Sequence, residues 1–247
     1  MAQTKRSALR LNHDTQRRRG FTMTEHSADC SMVHSGIYDL IDVEDDATFA
    51  NGVRFRTVMV EGTLEAPKIQ GDSLIIDNGI VRCSGRIHVR RISGRGTLEV
   101  KGDIICESIE MTGSVNTDGN IRCSGDMNIT GALRNVHHII ADNLSMHGVL
   151  HGNDIDGRVF FTQPLHSTMF SRFGMPDYQA QSRVTLIKAS EVSACKLICR
   201  TIKADSASLR EGSAVEHAIC STTLGTDTTS NVMLLKGACR RVHLRTA

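Results

Sequence analysis

The feature that most restricts what this chain can become is a short repeat. Aliphatic residues climb in six-residue steps: Ile92, Leu98 and Ile104, then Ile109, Val115, Ile121, Met127, Leu133 and Ile139, then Leu144, Leu150 and Ile155. Five-residue steps precede Ile109, Leu144 and Ile155, so six, six and five close a unit of seventeen residues. Similar letters return near that interval. Ile109, Met111, Gly113 and Val115 reappear as Met127, Ile129, Gly131 and Leu133, and again as Leu144, Met146, Gly148 and Leu150, while Gly85, Gly102 and Gly119 stand seventeen apart. A fixed short period means a solenoid, because each unit can bury its apolar side only against the next.

The side-chain pattern then sets the geometry. Aliphatics two apart, such as Met127 and Ile129, are strand residues pointing the same way. A glycine two places before the next rung marks a corner, since it accepts positive φ and lets backbones approach. Three short strands and three corners make a triangular coil, and coils stack at roughly 4.8 Å. Glu99, Glu110, Asn116, Arg122, Asn128 and Arg134 follow inward aliphatics and are expected on the outer walls. The fold class expected is therefore all-β: a triangular β-helix of about seventeen residues per coil and about ten coils, interrupted once.

Four segments follow. Residues 1–52 carry a basic block (Lys5, Arg6, Arg10, Arg17 to Arg19) facing Asp14 alone, then an acidic run from Asp39 to Asp46. With no period visible, they read as a disordered charged head, and Met23 is an alternative start. Residues 53–156 form the first repeat block. There Val58, Val60, Gly62 and Leu64 match the motif, as do Leu74, Ile76 and Ile80 with Asn78 in the glycine position. Val81 to Gly85 resembles Ile121 to Gly125 at an interval of forty, which predicts an insertion near Arg90 to Gly96. Residues 157–181 are a ring-rich insert. Phe160, Phe161, Phe170, Phe173 and Tyr178 lie there and form a candidate self-association or partner patch, because clustered exposed rings serve as anchors. Residues 182–247 resume the ladder. Val192 and Leu209 stand seventeen apart, as do Ile198, Val215 and Val232, and Ala204, Ser221 and Ala238, before a charged tail of Arg240, Arg241, His243 and Arg245.

The run from Val58 to Ile155, with its Gly-x-aliphatic corners and inward pairs, resembles the bactofilin family of bacterial polymer-forming cytoskeletal proteins. Arg183 to Leu209, followed by Glu211 to Val215, is similar to the second repeat block of the longer Firmicutes-type variant. The charged head and the ring-rich insert lie outside that pattern. The resemblance implies a right-handed β-helix that assembles end to end into filaments without nucleotide, acting as a scaffold for cell-envelope or division proteins. Physical reasoning reaches self-assembly separately: a coil stack ends in unpaired backbone groups over an apolar core, a template for another copy unless capped. The head and the charged tail are the candidate caps.

Composition and motifs narrow the function. A net charge of +2 does not suggest a nucleic-acid partner. No apolar run approaches the eighteen or so residues of a membrane span, and the N-terminus lacks the apolar core of a signal peptide. The expected location is cytoplasmic, with at most weak peripheral contact of the basic head at the inner face of the membrane. The other protein class with six-residue steps, the left-handed hexapeptide acyltransferase or sugar-nucleotide-binding trimer, places a small residue after each inward aliphatic, where this chain has Glu99, Glu110 and Arg122. His137, His138, His147 and His151 are close enough in sequence to meet as zinc ligands, but isolated wall histidines are far commoner. Cys195 and Cys199 lack a partner pair of metal-site spacing, and Cys106 and Cys123 read as small core residues. No catalytic residue, cofactor or metal is expected, and the expected partner is a further copy of the chain.

Overall fold

A computed structural model describes residues 11–12, 32–165 and 181–245. The chain opens with β1 (Leu11–Asn12), β2 (Met32–Val33), β3 (Gly36–Val43), β4 (Asp46–Phe49), β5 (Val53–Val60) and β6 (Thr63–Ala66). It continues through β7 (Ile69–Cys83), β8 (Ile87–His88), β9 (Arg91–Val100), β10 (Ile104–Cys106), β11 (Ser108–Thr117) and β12 (Ile121–Asn135). The last six are β13 (His138–Gln163), β14 (Ser182–Cys195), β15 (Leu197–Arg210), β16 (Ala214–Thr226), β17 (Asn231–Lys236) and β18 (Arg240–His243). All pair in parallel except β1, and together they wind a β-solenoid of about 12 coils.

Stacking in register explains the ladder. Ile41, Val58, Leu74, Ile92, Ile109, Met127 and Leu144 lie one above another, each paired with the next. A second column is isoleucine throughout: Ile69, Ile87, Ile104, Ile121 and Ile139. Inward positions come in pairs two residues apart, as in Leu98 with Val100 and Ile104 with Cys106, so a coil has three walls around one continuous core. Burying each such aliphatic is worth about 1.5–3 kcal/mol. Aliphatics fill most of this narrow interior, with Phe49, Phe55 and Phe160 the buried rings among the described residues.

One corner shows why glycine repeats. Gly96, Gly113, Gly131 and Gly148 stack directly, each with φ between 134° and 145°. A Cβ on any of the last three would overlap the carbonyl oxygen of the glycine one coil before. The bend therefore needs both the left-handed backbone and the missing side chain.

Several expectations shift. The first coil begins at Met32, inside the segment read as head: Val33, Ile41, Val43, Ala47 and Phe49 are all buried in the core. The acidic run from Glu44 to Asp46 is one of its corners rather than part of a charge block. Arg90 to Gly96 carries no insertion. Val81 stacks between Leu64 and Leu98 while Ile121 stacks between Ile104 and Ile139, so the two similar pentapeptides occupy different walls. The extra residue is Asn78, at a bulge between Asp77 and Gly79 and with φ of 59°. The period also continues past residue 157, since β13 runs to Gln163 and Phe160 stacks on Val192. The second block follows directly on the first, with Ile155 over Ile187. Its coils are shorter: Val192 pairs Ala207, with Ala194 rather than Val192 opposite Leu209, and Ile198 pairs Ala214. Ala204 likewise pairs Cys220, leaving Val215 with Val232 as the seventeen-residue match that holds. Starting earlier and continuing through the insert boundary raises the coil count from about ten to about 12.

Candidate association surface

The two ends of the stack differ. At the first, β3 pairs inward with β5 and outward with β1, which runs antiparallel along its edge with Leu11 opposite Ile41 and Asn12 opposite Leu40. Ile41 and Val43 are fully buried, at 0 % exposure. β1 thus takes up the β3 edge at Leu40 and Ile41, while β2 pairs β4 alone among the described residues.

At the other end, the register pairs of β17 and β18 run to β16 alone among the described residues. Val232 and Leu235 continue the inward columns of Val215 and Ala218, yet both are only partly buried. Met233 is 75 % exposed and Leu234 42 %. On the remaining wall the column changes character: Arg241 stands over Leu224 and His243 over Thr226, and both are exposed. The last layer is therefore apolar along β17 and cationic along β18.

The turn between β16 and β17 fixes this layer. The Asp227 carboxylate accepts hydrogen bonds from the backbone N–H of Glu211 (2.9 Å), Ser230 (2.8 Å) and Thr229 (3.1 Å), and from the Thr229 hydroxyl. Thr229 Oγ1 in turn accepts from Gly212 N–H and Ser230 Oγ from Ser213 N–H. Burial alone raises the Asp227 pKa, but these donors outweigh it and hold the carboxyl at about 2. A short polar segment can so be locked one coil above its neighbour without an aliphatic side chain.

Elsewhere the outer walls are laced by ion pairs one coil apart. Arg82 lies between Glu65 (3.7 Å) and Glu99 (3.2 Å), Arg90 meets Glu107 at 3.3 Å, and Arg158 meets Asp142 at 3.2 Å. These pairs are exposed and individually weak. They leave the long walls of mixed sign, with no single-sign stripe in the described pairs.

The residues singled out from the sequence are dispersed. Phe160 is a core residue at 1 % exposure, and Phe161 packs against the His147 ring, centroids 5.4 Å apart. Phe160 therefore does not present its ring at the surface. Phe170, Phe173 and Tyr178 lie outside the described residues. The histidines fall on different walls: His138 bonds Asp156 at 2.9 Å, while His147 bonds Gln163 at 2.7 Å. Among the described residues no three His, Cys, Asp or Glu side chains are placed to hold a metal ion. Cys199 is buried inward and Cys195 sits half-buried opposite Arg210. No helix of the described residues is long and apolar enough to cross a membrane.

No protein-family model, curated protein or solved structure matches this chain. The fold and its ends are what remain to interpret. Sequence reading found the charged tail but not the half-exposed Val232 and Leu235 beside it. Their column membership was legible only through Val215, and nothing in the letters says which rung is the last. The ion-pair rows were also missed, although Glu65, Arg82 and Glu99 lie seventeen apart.

Proposed function

We propose that this protein is a non-enzymatic structural scaffold that associates with itself through its Arg241 end, in the manner suggested by its resemblance to bactofilins. The observation that carries the proposal is the outer edge of β17, which has no register partner among the described residues, with Val232 and Leu235 half-exposed in the core columns and Met233 and Leu234 open to solvent. A strand edge over apolar side chains is a template for another strand, and a second copy offers the same edge. The partial cover of the β3 edge by β1 makes the opposite end unlike this one, which supports association through like ends over indefinite head-to-tail growth. Heterologous contacts need two free and complementary ends, whereas an isologous contact needs one surface.

Sedimentation velocity of the purified full chain across a wide concentration range, without nucleotide, tests this. A concentration-dependent larger species is expected, and the Leu235→Lys variant should remain monomeric with an unchanged circular dichroism spectrum. A wild-type protein that stays monomeric at the highest concentration would refute self-association.

A further inference from the structure

The walls carry grooves between rows of outward side chains, and one of them has two thiols in its floor. It is a groove of about 670 Å³ whose lining includes Cys106, Cys123, His88, Arg90, Glu107 and Arg122. Cys106 and Cys123 are register partners in β10 and β12. Their exposures are 5 % and 2 %. Of the other inward cysteines, Cys83 pairs Ala66 and Val100, Cys199 pairs Val184 and Val215, and Cys220 pairs Ala204 with Cys239 nearby, so none has a cysteine as register partner. Both thiols are free.

Adjacent parallel strands put partner Cα atoms about 4.8 Å apart, inside the range of roughly 4.4–6.8 Å that disulfides span. We propose that Cys106 and Cys123 form a reversible dithiol–disulfide pair, a covalent clip between two neighbouring coils made by a peroxide-class oxidant entering along the groove. The two thiols stand directly over one another across the coil boundary. The neighbouring thiol favours ionisation of Cys123 and disfavours that of Cys106, whose pKa burial raises further. Cys123 also lies 3.4 Å from the carbonyl oxygens of Glu107 and Asp126, which accept its proton while it is a thiol.

The roles follow. Cys123, as thiolate, attacks one oxygen of hydrogen peroxide; the O–O bond breaks, a sulfenic acid forms and one water leaves. Cys106, as thiolate, then attacks the Cys123 sulfur; the S–S bond forms and the sulfenic oxygen departs as a second water. Two electrons pass from the thiols to the peroxide, and the two thiol protons end in the waters. A dithiol reductant reverses the step.

The test uses the full chain, reduced and then exposed to hydrogen peroxide, blocked with iodoacetamide and digested with trypsin without reductant. Arg122 separates the two cysteines, so a disulfide joins peptide 102–122 to peptide 123–134, and dithiothreitol should release them. Cys106→Ala should lose the linked species and accumulate a Cys123 sulfenate trapped by dimedone, while Cys123→Ala should lose both. Alanine is tolerated in this column, where Ala141 stacks on Cys123. Melting curves of both variants establish that each is folded. Recovery of both wild-type peptides alkylated after peroxide, or of either cysteine joined to a different partner, would overturn the proposal.

Discussion

At the scale of single residues, three positions carry more than their size suggests. Gly131 holds φ of 135° directly against the carbonyl of Gly113. Gly131→Ala is expected to destabilise the protein by at least the roughly 1–3 kcal/mol of a strained backbone, read as a lowered melting temperature. Asn135 is a buried polar residue in a column that holds Val100 and Cys83 below it, and its Nδ2 donates to Gly119 O at 2.7 Å while Oδ1 accepts from His137 N–H. Asn135→Ala leaves the Gly119 carbonyl without that donor, an expected loss of about 1–3 kcal/mol in urea denaturation. Asp227 makes a pH-dependent contribution. Its folded pKa of about 2 lies below the ordinary 3.8, so the unfolded chain binds more protons between those values and stability falls as pH drops through that window. Stability measured against pH should show Asp227→Asn less stable than wild type above pH 3.8, with the gap closing as pH falls towards 2.

At the scale of elements, the first block was legible because all three walls present large aliphatics at a steady interval. The isoleucine column from Ile69 to Ile139 is hard to mistake. In the second block the inward residues include Ala194, Ala207 and Ala218, so a misreading by one or two positions leaves no obvious apolar residue facing out. Coils of fifteen and sixteen residues then went unnoticed, as Val192 over Ala207 and Ile198 over Ala214 show. The first coil was hidden for another reason: its corner at Glu44 to Asp46 is acidic, and Phe49, edge to face with Phe55 of the next coil at 6.2 Å, replaces the usual aliphatic. Strand β17 offers the element-scale prediction. Combining Met233→Ser with Leu234→Ser removes the outermost apolar side chains without touching the inward columns. The variant should keep the wild-type melting temperature but associate measurably more weakly in sedimentation equilibrium.

At the scale of the molecule, long-range contacts among the described residues run from coil to neighbouring coil. Each layer rests on the one before, with a core of side chains rather than a cleft. The exposed ion pairs along the walls add little individually, so raising the salt concentration should leave the melting temperature nearly unchanged. What distinguishes this rod from a uniform solenoid is its unequal ends, with β1 laid along one and Arg241 standing over the other. Two such rods joined at their Arg241 ends would make a strut with a two-fold axis at its middle and the same face at both tips. A strut of that kind would present two identical tips at a separation of two rod lengths, a spacer rather than a cable.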